Sequence, residues 1–418
     1  MKKTLVALAA LAAVGTVSAQ SSVTVYGVLD VGYSNYENDA LVGKVKQAGL
    51  SSSNTITSRL GFRGIEDIGG GIKAKFNLEL GINIDDGSNQ IGTNTGNIQS
   101  AAANPAAGGL VFGRLSYVAI EGKFGEIRLG RDIHPGYYNY VVFDPFGAVG
   151  AAASLPSVQK IDAFVGTGTQ VRFSNGIGYF LPSGLGGIYG QVMYAPSEVA
   201  EPTGVPALGV NNKDDGEAFG FRIGYRTGPF DIALGYANVT STVVGPVQAG
   251  AGVAAALGAG NDRETLNIAG SYDFGVVKLF AQYADLQVDS FRNSNQSVTN
   301  KSYLLGVHVP FGPQHLFKAS IAASESSGQN SEETTKFGIG YELRLSKRTA
   351  LYANYAQVAN KNGGRIGVGV LSTNSGAYQS SQFASGFAQP NGGVGAGGGA
   401  VAAGGDSRGF DLGIRHTF

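Results

Sequence analysis

The chain of 418 residues has no cysteine and no tryptophan, only two methionines and four histidines. Without thiols there is no disulfide framework, no thiolate nucleophile and no cysteine-ligated metal. Charged residues are 14% of the chain, against about 25% in ordinary globular proteins. Thirty basic residues balance thirty acidic ones, whereas a nucleic-acid binder carries a basic excess. The hydrophobic fraction of 43% is too high for a disordered chain. After the N-terminal segment no apolar run approaches the roughly 18 residues of a spanning helix. The histidines, His134, His308, His315 and His416, form no H-E-x-x-H pair, and no G-x-S-x-G elbow or G-K-[ST] loop occurs. Gly393, Gly395 and Gly398 spell G-x-G-x-x-G, but in a Gly/Ala stretch with no strand before it and no helix after it, so no dinucleotide site is expected. The expectation is a protein that is not an enzyme, with no catalytic, cofactor-binding or metal-binding residue.

What the chain does contain is glycine, 66 residues, and a repeating alternation. Its first segment reads as an export signal. Lys2 and Lys3 precede the apolar run Leu5 to Val14, and Val17-Ser18-Ala19 is a small-residue cleavage site. Residues 1–19 are expected to be removed, leaving 20–418 as a single β-barrel domain.

From there the pattern has period two. Ile72, Ala74, Phe76, Leu78, Leu80 and Ile82 alternate with Lys73, Lys75, Asn77, Glu79, Gly81 and Asn83. Phe219–Arg226, Phe230–Ala237 and Thr335–Leu345 alternate in the same way. Such runs present one apolar and one polar or small face to the two sides of a sheet. About sixteen can be placed, near 22–36, 55–66, 71–84, 110–121, 125–132, 168–181, 186–196, 216–227, 228–240, 263–273, 275–289, 300–310, 313–326, 332–344, 347–359 and 406–418. Short Gly/Pro turns, such as Thr227-Gly228-Pro229 and Phe311-Gly312-Pro313, alternate with mostly longer loops near 37–54, 85–109, 133–167, 197–215, 241–262, 290–299, 327–331 and 360–405.

Short turns at one end and long loops at the other are the pattern of an outer-membrane β-barrel. In lipid every backbone polar group must be paired, so the sheet has to close. A soluble β-sandwich also alternates, but alternating loop lengths over so many strands fit it poorly. The fold expected is all-β: a 16-stranded antiparallel transmembrane β-barrel with short periplasmic turns and long extracellular loops. Sixteen strands leave an aqueous channel. Aromatic residues near strand ends (Tyr26, Tyr33, Tyr179, Phe180, Tyr189, Tyr194, Tyr225, Phe230) suit interfacial girdles. The chain finishes on Phe418, with Phe410, Leu412 and Ile414 at alternate positions before it. That ending resembles the C-terminal insertion signal of bacterial outer-membrane proteins, with His416 where an apolar residue is usual.

Ser22–Asp30 (SVTVYGVLD), Ser58–Gly71 (SRLGFRGIEDIGGG), Phe112–Val118 (FGRLSYV) and Phe124–Arg131 (FGEIRLGR), together with the ending, resemble the general diffusion porins of β-proteobacteria. The resemblance implies a homotrimeric diffusion channel whose third long loop folds inward and narrows the pore. Its partners would be small hydrophilic solutes and ions, with membrane lipid and lipopolysaccharide around it and no nucleic acid.

The parity that points Leu60 and Phe62 to lipid points Arg59 and Arg63 inward, and Lys73 and Lys75 likewise. Arg114, opposite in parity to Leu115 and Tyr117, and Arg172, between Val171 and Phe173, are expected in the lumen too. A midplane arginine facing lipid would cost roughly 2–4 kcal/mol. In related porins an arginine cluster faces the inward loop, and Arg59, Arg114 and Arg172 match it best. The constriction loop, after Gly130-Arg131-Asp132, has few carboxylates: Asp132, Asp144 and Asp162. Rings of basic side chains favour anions, so a weak to moderate anion preference is expected. The alternatives are a substrate-selective channel for organic anions and a non-conducting surface barrel acting as an adhesin or receptor.

Overall fold

The computed structural model describes residues 22–40, 43–88, 99–100, 112–154, 171–197, 214, 216–241, 243–244, 261–290, 297–327, 331–364, 366–368 and 401–418. The export signal at 1–19, Asp162, the glycine motif at 393–398 and most of the loop 360–405 lie outside these residues.

Sixteen antiparallel strands close on themselves. They are β1 (Ser22–Ala40), β2 (two segments, Gly43–Ser52 and Arg59–Gly69), β3 (Ile72–Gly81), β4 (Leu115–Gly122), β5 (Gly125–Ile133), β6 (Arg172–Phe180), β7 (Ile188–Ala195), β8 (Ala218–Thr227), β9 (Phe230–Ser241), β10 (Asn261–Asp273), β11 (Lys278–Ser290), β12 (Ser297–Phe311), β13 (His315–Ser327), β14 (Glu332–Arg344), β15 (Thr349–Lys361) and β16 (Ser407–Thr417). Both segments of β2 pair with β1, the first along Val31–Ala40 and the second along Ser22–Val28. They are one strand broken at 53–58. The region 37–54, expected to be a loop, is therefore mostly the hairpin of β1 and β2, which polar alternation such as Lys44-Val45-Lys46 extends past the apolar band. The seam is closed by β16 on β1, with Val28 opposite Thr417, and by reciprocal Gly27–Phe418 backbone bonds of 3.1 and 3.0 Å.

The polarity of the sheet is inverted relative to a water-soluble protein. Its outer face exposes Val23, Leu305 and Phe311 at 67, 64 and 72%, whereas Asp30, Asn267 and Asp411 on the inner face are 0% exposed. Only an apolar solvent outside and a polar interior make that arrangement favourable. No helix among the described residues is long and apolar enough to cross a membrane; the strands do the crossing.

The packed core lies inside the barrel, where the chain after β5 turns inward. Pro135–Tyr137 forms a 3-10 turn and Tyr138–Val142 a short helix, α1. Phe146, Ala151 and Ala152 pack against Tyr36, Phe280, Leu304, Ala322, Ala356 and Val358 of the wall. Glycines make room. A Cβ on Gly306 would lie 2.2 Å from Pro145 Cγ, and one on Gly340 would lie 2.7 Å from Phe146. Gly150, at φ +77°, passes so close to the backbone of Asn54 that no side chain fits there.

Candidate functional site

The inward segment is fixed by polar contacts as well as by packing. Asn139 on α1 donates from Nδ2 to Asn267 Oδ1 (2.6 Å) and to the Ala233 carbonyl (3.2 Å), and accepts from Arg222 Nε (2.7 Å). Asn267 Nδ2 donates to the Gly136 carbonyl at 2.8 Å. His308 Nε2 sits 2.8 Å from the Pro145 carbonyl. Further on, the Ala151 amide donates to Asp411 Oδ2 (2.9 Å), whose other oxygen accepts from Ser34 and Tyr36 (both 2.6 Å). His134 stacks on buried Phe173 at the start of the segment. The loop thus lies along the wall from β8 round through β16 and β1 to the break in β2, where Gly150 meets Asn54, and leaves the charged face of β2–β5 beyond that break facing the lumen.

On that open wall Glu79 is the pivot. Its carboxylate lies 2.6 Å from Arg114 Nε and 3.5 Å from Arg59 Nε, and the Tyr26 hydroxyl is 3.0 Å away. Arg63 is exposed, with its guanidinium 5.2 Å from the Tyr26 ring centroid. Lys73 is exposed as well. Among the described residues no carboxylate stands within ion-pair distance of either. Below them Lys75 pairs with Glu121 and Glu126, and Arg128 bridges Glu126 (2.5 Å) and Asp132 (2.7 Å). Arg128 is also held between the rings of Tyr117 and Phe180, at 4.6 and 3.8 Å. These groups, with Asp67 opposite Lys73, total six cations (Arg59, Arg63, Lys73, Lys75, Arg114, Arg128) against five carboxylates (Asp67, Glu79, Glu121, Glu126, Asp132).

Arg59, Arg63, Lys73 and Lys75 lie on the inner face, in rows with Val28, Asn77 and Ala119. Arg114 reaches the interior by a different route from the parity argument. Tyr117 shares the inner row of Asn77, so its parity is luminal; Arg114 precedes β4 and bends in to Glu79. Arg172 is buried beside Asp132, with which it interacts electrostatically, and the inward position expected for it is taken by its neighbour Phe173, which is opposite Asp132 and clusters with Met193, Ala195 and Val239. Asp144 is 4% exposed and is occupied inside the loop, accepting from the Phe146 amide (2.8 Å) and from the Ser154 amide and hydroxyl (2.9 and 2.6 Å). Asp132 is bound to Arg128. Phe410, Leu412 and Ile414 are opposite Asn35, Tyr33 and Val31 on the outer face, and Phe418 lies over Gly27.

Three of the rings expected in the lipid girdles are inside instead. Tyr26 binds Glu79, Phe180 stacks on Arg128, and Tyr189 donates to Asp231 (2.6 Å) while Arg222 covers its face at 4.8 Å. A second cluster, not expected from the sequence, gathers Lys318 (3.4 Å), Arg344 (3.1 Å) and Arg415 (3.1 Å) on Glu342. Its inward parity was readable in the alternation of β14. Burial, reinforced by Asp132, pushes the Tyr138 hydroxyl well above the ordinary phenol range, so this loop ring stays neutral.

A closed barrel with an apolar exterior, a charged open wall and a plugged half-lumen is a channel. Residues 5–363 match the family model described as Gram-negative porin. The chain belongs to the Gram-negative porins. It is 34% identical over 423 residues, with full coverage of both chains, to outer membrane porin protein 32 of Delftia acidovorans. It is 26% identical to major outer membrane protein P.IB of Neisseria lactamica, over 89% of this chain and 98% of that one. The solved structure of an anion-selective porin from Comamonas acidovorans superposes with a TM-score of 0.72 at 29% identity, covering 96% of this chain and 100% of that one. OmpT of Vibrio cholerae, at 12% identity and TM-score 0.62, shares the fold. The protein is thus an outer-membrane porin, with its short turns on the periplasmic side and its long loops outside.

Proposed function

We propose that this porin passes ions and small hydrophilic solutes by passive diffusion, with a weak to moderate preference for anions, and that it is not an enzyme. The observation that carries the preference is the imbalance of spent and unspent charge. Asp132 and Asp144 are consumed in structural bonds, whereas Arg63 and Lys73 stand open on the free wall. Of the expected constellation, Arg63 and Lys73 contribute most and the Arg59–Arg114 pair is half-neutralised by Glu79. Cationic linings favour anions. Similarity to a structure described as an anion-selective porin supports the same reading. Residues 1–19 act as the export signal, 20–418 form the barrel domain, and the functional unit is a homotrimer set among lipid and lipopolysaccharide.

The test is the reversal potential of purified protein in a planar bilayer under a KCl gradient. Wild type should reverse on the chloride side of zero. Arg63→Ser, which removes an open cation and no ion pair, should move it towards potassium. A wild-type potential on the potassium side, or a variant with unchanged potential, refutes the reading.

A further inference from the structure

The inward segment 134–154 is buried almost throughout; Tyr138 and Gly147 are half-buried, and the two residues that stand exposed are Val141 and Val142, at 37 and 39%. These consecutive valines sit at the end of α1. That helix contacts β9 and β10, where Asn139 is tied to Ala233 and Asn267 and Phe143 is packed against Ala233 and Ala269. With one side on the wall, its free side is turned to the lumen.

In a ring of sixteen strands the positions half a turn from β9 and β10 are β1 and β2. These strands carry Tyr26, Arg59 and Arg63. The Glu79 carboxylate on β3 turns Arg114 to the same wall. On that wall the cations lie against rings, Arg63 on Tyr26 and Arg128 between Tyr117 and Phe180, while Arg222, on β8 beside α1, is bonded to Asn139 and held between Tyr138 and Tyr189. One side of the passage therefore presents the two valines, with its Arg222 engaged by Asn139 and the rings of Tyr138 and Tyr189, and the other offers guanidinium groups backed by aromatic surface.

We propose that the narrow part of this channel is amphipathic, and that it favours organic anions carrying an apolar group, alkyl or aryl monocarboxylates, over equally charged hydroxylated anions. This rests on the anion preference proposed above and names the class within it. The carboxylate is drawn to Arg63 and Arg59, where a guanidinium offers paired N–H donors. The apolar body covers the valines and the rings, which water solvates poorly. Covering half the surface of one methylene is worth roughly a twofold gain in local concentration. A propyl chain should thus gain several-fold over the same chain ending in a hydroxyl.

The probes are potassium butyrate and potassium 4-hydroxybutyrate, close in size and equal in charge. Permeabilities come from bi-ionic reversal potentials in planar bilayers, each normalised to chloride on the same channel. Wild type should pass butyrate at least threefold better than 4-hydroxybutyrate. V141T/V142T keeps side-chain shape and adds two hydroxyls, and it should bring the ratio close to one; V141S/V142S should do the same with a smaller side chain. Equal permeability in wild type overturns the proposal, as does an undiminished ratio in both variants. A wild-type channel that prefers potassium to chloride in KCl alone defeats the underlying anion reading and is recognised separately from either result.

Discussion

Replacing Glu79 with glutamine should make the channel more anion-selective while weakening the protein. The carboxylate lies 2.6 Å from Arg114 and 3.5 Å from Arg59, and the Glu79 and Arg114 side chains are both 7% exposed. Glutamine keeps the shape and one acceptor but removes the charge. The open wall then has six cations against four carboxylates. For an ion passing about 5 Å away, with an effective dielectric of about 40, the added charge is worth about 1.7 kcal/mol before screening. At 0.1 M salt, where the Debye length is about 10 Å, this falls to about 1 kcal/mol. That is roughly a fivefold rise in local chloride. The structural cost follows from leaving two neighbouring guanidinium groups without a counter-charge. Removing one partner of a buried pair costs about 3–5 kcal/mol; the lower end applies because Arg59 keeps 26% of its side chain in channel water. The assay is the reversal potential under a tenfold KCl gradient, with thermal unfolding of detergent-solubilised protein as the companion. E79Q should move the potential towards the chloride limit and lower the midpoint. An unchanged potential, or a move towards potassium, would mean that Glu79 does not neutralise the arginine wall.

Two other perturbations test how the loop and the seam are held. Gly306→Val places side-chain atoms where Pro145 now sits 2.2 Å from the missing Cβ. The overpacking, typically about 1–3 kcal/mol, should push the loop off β12, admit larger uncharged sugars in liposome swelling and expose residues 143–154 to protease; an unchanged exclusion limit would contradict the docking. Phe418→Ser removes the ring lying over Gly27 at the point where β16 closes on β1. The folded fraction in outer-membrane preparations, read from heat-modifiable mobility on gels, should drop, and a wild-type level would show that the terminal ring is dispensable.

The inward direction of Arg59, Arg63, Lys73 and Lys75 was legible because strand geometry fixes it. Every second side chain faces the same way, and a barrel in lipid tolerates one register. The same alternation already contained Glu79, on the polar face of Ile72–Asn83, although nothing local said that it would clamp two arginines from other strands. Parity failed where the backbone leaves the ladder. Arg114 precedes its strand, and β5 and β6 shift register at Gly130/Asp132, where Asn175 takes φ +57°. Tyr26, Phe180 and Tyr189 misled because an aromatic ring near a strand end suits a lipid girdle and a luminal cation stack equally well.

The sequence by itself determined the barrel: its closure, its inside and outside, its alternating turns and loops and its balance of charge. These depend on period-two patterning and on the need to pair every backbone group in lipid, both local or global properties of the chain that require no knowledge of which residues meet. Only the tertiary structure decided which charges remain open. Asp132 and Asp144 are spent on partners two to ten residues away, whereas the halving of the Arg59–Arg114 pair by Glu79 and the exposure of Val141 and Val142 on the loop depend on contacts between residues tens to hundreds of positions apart. Such contacts follow from where the inward loop comes to rest against glycines of the far wall, and that docking leaves no periodic trace in the sequence.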